Sequence, residues 1–127
     1  MPKFLAIVAS ACLIAFASQP AAAADPPPIV VTGGILVDAQ GMTLYTFDRD
    51  VPASGKSNCN GDCAQMWPPL VWVGAGAPSG AFTILTREGG AKQWAYKGKP
   101  LYLFSGDVNP NDTNGDGVNG VWHIARP

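Results

Sequence analysis

An internal repeat is the feature of this sequence that most restricts its fold. Residues 41–51 and 98–108 align without a gap, and each residue of the second copy lies 57 positions after its match. Glycine, leucine, tyrosine, phenylalanine, aspartate and valine are identical at six matched positions. Each copy contains a glycine turn, then Leu-Tyr-x-Phe, then Asp-Val, which is typical of a hairpin strand and the turn after it. Two copies are too few for a solenoid, so the repeat predicts one domain with two pseudo-repeated hairpins.

Short apolar runs surround the repeat and predict a mainly β fold, a small antiparallel sheet domain. Glycine, proline, asparagine or aspartate bounds each run, and the 127 residues include 15 glycines and 12 prolines. The predicted strands are residues 29–32, 35–39, 43–47, 70–73, 82–86, 93–96, 101–104 and 121–125. One short helix is predicted at residues 62–67, because Pro68 and Pro69 stop it and no longer stretch has the helical period.

The first 24 residues have the layout of a secretory signal peptide. Lys3 precedes an apolar stretch at residues 4–17, and an alanine-rich segment ends at Ala24, where cleavage is expected. The remainder divides into a Pro-rich lead-in segment at residues 25–32 and a two-copy β domain at residues 33–127, with copies at about 33–73 and 90–127. Lipidation of Cys12 is the alternative, although the residues before it make a poor lipobox. The expected location is periplasmic or secreted, with no transmembrane span in the mature chain.

The repeat motif resembles a family of secreted bacterial lipoproteins with a Tyr-x-(Phe/Trp/Tyr)-x-x-Asp repeat of unknown function. Its residues here are Tyr45, Phe47, Asp50, Tyr102, Phe104 and Asp107. The Cys-x-x-x-Cys-Ala-x-x-Trp-Pro-Pro segment from Cys59 and the Gly-Val-Trp-His segment from Gly120 are also similar to the family. The resemblance implies export and supplies no known activity, cofactor or catalytic residue.

Cys59 and Cys63 are candidates for a disulfide, because closely spaced cysteines in exported proteins are usually oxidised. A bond across so short a loop would contribute about 2 kcal/mol. The alternative is a thiol redox pair or a copper(I) site, since thiolates and thioethers bind soft metals. The further copper ligands considered are Met42, Met66 and His123.

A second motif has the spacing of a calcium loop. Asp112, Asn114 and Asp116 stand where an EF-hand has its first oxygen ligands. His123 occupies the position of the essential glutamate, and flanking helices are not predicted, so an Asn/Asp/Gly turn is the competing interpretation.

The repeated carboxylates Asp50 and Asp107 could be read as a glycosidase pair. Equal placement in a repeat instead favours one structural role carried out twice, in which each aspartate caps a turn by accepting backbone N–H bonds.

These residues do not form a complete catalytic set. His123 is the single histidine, and the nucleophile-elbow pattern is absent. The net charge of −1, without a basic run, argues against a nucleic-acid partner. We therefore expect an exported, non-enzymatic envelope protein that acts by binding or as structure, with no cofactor and an unidentified partner. The alternative is a periplasmic thiol-redox or copper(I)-binding protein that uses Cys59 and Cys63.

Overall fold

The computed structural model describes residues 2–3, 9–15 and 25–127, so the predicted cleavage site at Ala24 lies outside the described residues. The strands are β1 (Ile29–Thr32), β2 (Ile35–Asp38), β3 (Tyr45–Phe47), β4 (Phe82–Thr86), β5 (Lys92–Tyr96), β6 (Lys99–Pro100) and β7 (Trp122–Ile124). A short helix, α1 (Asp62–Met66), follows β3, and a 3₁₀ turn (Val118–Gly120) precedes β7. The mainly β prediction, with two repeat-like hairpin regions and one short helix, is confirmed.

Antiparallel pairing builds three small sheets. These are β1–β2, β3–β7 and β4–β5–β6. Local chemistry explains the tight connection between β5 and β6, where Lys97 and Gly98 both have positive φ, at 48° and 78°. That is the backbone of the turn that best matches the twist of a two-residue hairpin. β1 belongs to the predicted lead-in segment, and it pairs in full with β2.

Two predicted strands are not regular strands in the structure. Residues 70–73 and 101–104 make only isolated bridges, at Val71 and Tyr102. Proline accounts for the interruption beside residues 101–104, since Leu103 N donates to Pro68 O at 2.7 Å but Pro68 has no N–H to donate back to Leu103. Proline has no N–H to donate, so the ladder cannot continue through it.

The two copies pair with each other through their matched tyrosines. Tyr45 N donates to Tyr102 O at 2.8 Å, and Tyr102 N donates to Tyr45 O at 2.9 Å. Outside this central pair, β7 of the second copy lies beside β3 of the first. Reciprocally, Leu103 N of the second copy donates to Pro68 O of the first at 2.7 Å. Each copy thus pairs its tryptophan-containing segment with the motif segment of the other copy.

Two hydrophobic clusters pack on the central pair. The first contains Leu36, Leu44, Leu70, Trp94, Leu101 and Ala125. The second contains Tyr45, Cys59, Trp67, Tyr102 and Trp122. Neighbouring residues of an extended segment point to opposite faces, so each leucine of the motif enters one cluster and each tyrosine enters the other. Both clusters therefore take matched residues from both copies.

Candidate functional site

Each motif tyrosine bonds to the aspartate of the other motif. The Tyr45 hydroxyl donates to Asp107 Oδ2 at 2.6 Å, and the Tyr102 hydroxyl donates to Asp50 Oδ2 at 2.6 Å. Both tyrosines are fully buried. We call these two contacts the crossed Tyr–Asp pairs. They place the two repeated carboxylates at the two ends of the central pair, where each is held by a hydroxyl from the opposite copy.

The second oxygen of each carboxylate accepts a backbone N–H. Asp50 Oδ1 accepts from Asn58 at 2.7 Å, and Asp107 Oδ1 accepts from Asn114 at 3.0 Å. Such a bond holds the loop after each strand, which is the role expected of an aspartate that caps a turn. Both oxygens of both carboxylates are therefore engaged inside the protein.

Burial shifts the pKa values of three of these groups. It raises the pKa of Tyr45 and of Tyr102 above the usual value near 10, and the bond to each aspartate raises it further. Burial also raises the pKa of Asp50, although the bonds from Tyr102 and Asn58 and the charge of Arg87 partly lower it. Buried, protonated phenols that donate to these carboxylates hold two segments together, and they are poorly suited to exchange protons with a substrate.

Four stacked aromatic rings lie beside the crossed Tyr–Asp pairs. Phe47 stacks on Trp122 with centroids 4.3 Å apart, Trp122 on Trp67 at 3.8 Å, and Trp67 on Phe104 at 4.4 Å. The two tryptophans are almost parallel, with an interplanar angle of 4°. Each phenylalanine stacks on the tryptophan of the other copy, so this four-ring stack repeats the crossing seen in the hydrogen bonds.

Cys59 and Cys63 form a disulfide, with Cα atoms 5.2 Å apart. Cys59 is fully buried in the second cluster, whereas Cys63, in α1, is partly exposed. Arg87, only 7% exposed, donates to Cys59 O at 2.5 Å and to Gln93 Oε1 at 2.7 Å. A buried guanidinium therefore fixes the disulfide loop to the β4–β5 hairpin.

The structure separates His123 and Met42 from the other copper candidates. Cys63 and Met66 line one cavity of about 360 Å³, whereas His123 lines another. The thioether of Met66 accepts a bond from Ser105 Oγ at 3.1 Å, and Met42, in the β2–β3 connection, lines neither cavity. Within residues 2–3, 9–15 and 25–127, no three or more His, Cys, Asp or Glu side chains cluster as metal ligands would.

The calcium candidates hold turns. Asp112 Oδ2 accepts the backbone N–H groups of Asn109 and Val108, and these bonds lower the pKa of Asp112. Asp116 Oδ1 accepts the N–H of Ile124 at 3.2 Å. Asn114 contributes its backbone N–H to Asp107, as described above. The carboxylates of Asp112 and Asp116 thus accept backbone N–H groups of their own region of the chain.

His123 lies on the opposite face of β7 from the buried Trp122 and is 47% exposed. Because Thr46 and His123 are paired in register, Asp48 at the end of β3 reaches the imidazole, and His123 Nε2 lies 2.7 Å from Asp48 Oδ2. Both residues line a cavity of about 250 Å³. Among the described side chains, no hydroxyl bonds to His123, so the triad that a hydrolase would need is not assembled.

Two sets of residues in these sites were missed by the sequence reasoning. It placed the motif tyrosines in the repeat strands and gave their hydroxyls no partner. Equal Tyr-x-x-x-x-Asp spacing in both copies was the available signal, since buried tyrosine hydroxyls need partners. It also overlooked Asp48 beside His123, for which pairing of residues 43–47 with 121–125 would have been required.

The fold and its contacts define a small β domain made from two crossed copies and closed by a disulfide. A family model described as a secreted repeat of unknown function matches residues 30–71 and 83–126. The chain belongs to this family of secreted repeats. No curated protein and no solved structure matches it. None of the helices in the described part of the chain has the length and apolarity needed to cross a membrane.

Proposed function

We propose that this protein acts outside the cytoplasm as a non-enzymatic binding module with a rigid frame. The observation that carries the proposal is the engagement of the motif: both tyrosine hydroxyls and all four carboxylate oxygens bond within the protein. Membership of a secreted-repeat family supports the location. A frame of this kind leaves ligand recognition to exposed side chains around the sheets, as is usual for binding residues carried on a rigid scaffold.

Replacement of a motif carboxylate distinguishes a structural role of the crossed Tyr–Asp pairs from a catalytic role. Catalytic residues are often held at a cost to stability, so removing them commonly leaves stability unchanged or raises it. Asp107→Asn should instead lower the free energy of unfolding in urea by about 1–2 kcal/mol, because a charged acceptor of two hydrogen bonds is lost. Asp62→Asn, at an exposed aspartate of α1, is the matched control and should change little. A stabilised Asp107→Asn protein would contradict the frame and favour an active site.

For the location, we propose the periplasm or the medium, after cleavage near Ala24. The alanine-rich segment before Asp25 motivates this position. N-terminal sequencing of the protein from periplasmic and medium fractions should find Asp25, or a residue within about two of it. Recovery of a membrane-bound form with acylated Cys12 would replace cleavage at Ala24 with lipidation.

We propose that the disulfide stabilises the frame and does not turn over. Cys59 is fully buried and Arg87 holds its carbonyl, whereas exchange requires an accessible thiolate. The Cys59→Ser/Cys63→Ser variant should lose about 2 kcal/mol of stability. Redox titration of the native protein should give a midpoint below about −300 mV, as structural disulfides do.

The alternative, a thiol-redox or copper(I)-binding protein, predicts different results for the same protein. A midpoint near about −120 to −180 mV would indicate an exchange-active pair. Stoichiometric copper(I) binding by the reduced protein, lost on Cys59→Ser/Cys63→Ser and weakened by Met66→Leu, would indicate the soft-metal site. Met42→Leu is the matched methionine control, since Met42 lies outside the cavity that Cys63 and Met66 share.

A further inference from the structure

The cavity beside His123 concentrates positive charge. Lys97 and Lys99 flank the β5–β6 turn, and Arg126 follows β7; all three line the same space of about 250 Å³ as His123 and Asp48. The whole chain has only eight Lys and Arg residues and a net charge of −1. Three of its cations thus converge, from two different sheets, on one cavity of an otherwise weakly charged protein. We call this the cationic cavity.

One carboxylate, Asp48, lines the cationic cavity beside its three cations, and it contacts His123. Within the described part of the chain, the one ion pair is His123 with Asp48, and no hydrogen bond uses the side chains of Lys97, Lys99 or Arg126. The Lys97 ammonium instead lies 5.3 Å from the centre of the Tyr96 ring, which also lines the cavity. This cation–π contact keeps the charge close to the cavity wall. The arrangement therefore lacks an anion of matching charge.

We propose that the cationic cavity binds the phosphate group of a small ligand, a proposal that rests on the binding role argued above. A phosphate monoester carries close to two negative charges and three strong acceptor oxygens, so it can satisfy two ammonium groups and a guanidinium together. Arginine adds planar, bidentate recognition, and lysine adds point charges. Asp48 is the internal competitor, because its carboxylate lines the same cavity and lies 2.7 Å from Nε2 of His123.

The test measures phosphate affinity at low ionic strength, where charge interactions are least screened. Inorganic phosphate is titrated into the ¹⁵N-labelled protein, and the amide shifts of residues 97–99 and 124–126 are followed. Loss of one charge at contact distance should change the affinity about five-fold. Lys99→Gln should weaken binding by that factor, and Asp48→Asn should tighten it. Lys92→Gln, an exposed lysine of β5 that does not line the cavity, should leave the affinity within about two-fold.

A second arm identifies the source of the phosphate group. The same variants are sedimented with phosphatidylcholine vesicles that either contain or lack phosphatidic acid, a lipid whose headgroup is a phosphate monoester. Binding of free phosphate without vesicle binding indicates a soluble phosphorylated ligand. Vesicle binding that needs phosphatidic acid and is weakened by Lys99→Gln indicates a lipid headgroup.

The proposal is overturned if no saturable phosphate binding occurs, or if Lys92→Gln weakens binding as much as Lys99→Gln does. It is also overturned if Asp48→Asn leaves the affinity unchanged. The side chains of Asp48, Lys92 and Lys99 are exposed, so all three variants should fold. Melting curves check that they do. Absence of phosphate binding would not contradict the structural role proposed for the crossed Tyr–Asp pairs, because the stability of Asp107→Asn tests that role separately.

Discussion

The crossed Tyr–Asp pairs predict two unequal losses of stability. Tyr102→Phe removes a fully buried hydroxyl that lies 2.6 Å from both Asp50 Oδ2 and Ser57 Oγ. Asp50 is only 7% exposed, so water cannot readily replace the lost donor. A hydrogen bond to a charged group contributes about 1.5–3 kcal/mol, and an unsatisfied buried partner adds to the loss. We expect Tyr102→Phe to lower the free energy of unfolding by about 2–3 kcal/mol.

The matched substitution in the other copy should be milder. Tyr45→Phe removes a bond to Asp107, which is partly exposed and can be solvated in its place. The expected loss is about 1–2 kcal/mol. Urea unfolding measures both values, and the melting temperature should fall by roughly 10 °C or more for Tyr102→Phe in a domain of this size. A larger loss for Tyr45→Phe than for Tyr102→Phe would refute the burial argument.

Double-mutant cycles test whether each motif tyrosine bonds to the aspartate of the other copy. The pair Tyr102→Phe and Asp50→Asn should show a coupling free energy above about 1 kcal/mol, because these groups are in contact. Tyr102 and Asp107 belong to the same copy and share no hydrogen bond. The effects of Tyr102→Phe and Asp107→Asn on the free energy of unfolding should therefore add within about 0.5 kcal/mol. Strong coupling within a copy and none between copies would refute the arrangement.

Three further results are expected. Because burial raises the pKa of Tyr45 and Tyr102, the folded protein keeps both phenols protonated at pH values above 10, at which the unfolded chain loses these protons. The stability that the two phenols contribute therefore falls as the pH rises above about 10, and Tyr45→Phe should reduce this slope by about half; an unchanged slope would contradict this. Gly115→Ala would place a Cβ 2.8 Å from Trp67 and should lower the free energy of unfolding by about 1–3 kcal/mol. Gly117→Ala, which has open space around it and a φ of +78°, should lower it by about 1 kcal/mol through backbone strain. Equal losses in urea unfolding would refute the steric reason given for Gly115. Trp67→Phe should lower the free energy of unfolding in urea by at least about 1 kcal/mol, because the smaller ring loses part of the stacking on Trp122 and Phe104; an unchanged value would contradict the four-ring stack.

The sequence determines the local elements of this fold more directly than their docking. β1 and β4 begin and end where the apolar runs do, and α1 ends just before Trp67, since two prolines follow. Turn glycines and alternation are signals that lie within a few residues of the element they specify. Proline also explains the main error, because its missing N–H breaks a ladder that apolar composition alone suggests.

The crossing between copies could not be read from the sequence. A repeat indicates that two segments fold alike, but it does not say whether they pair with each other or with their own flanks. The partner of each tyrosine hydroxyl depends on that choice, since Asp50 and Asp107 have the same spacing from their own tyrosines. The cationic cavity depends on it as well, because Lys97 and Arg126 meet only when the β5–β6 turn docks against β7.

The reciprocal contacts between the copies have the form of an isologous dimer joined into one chain. In an isologous interface the same patch on each subunit contacts its counterpart, as Tyr45 and Tyr102 do here through both backbone bonds. One copy therefore carries both halves of a self-complementary surface. A chain with a single copy could satisfy its tyrosine, aspartate and tryptophan only by associating with a second chain. Joining two copies makes that association intramolecular, so this protein keeps its paired form at any dilution.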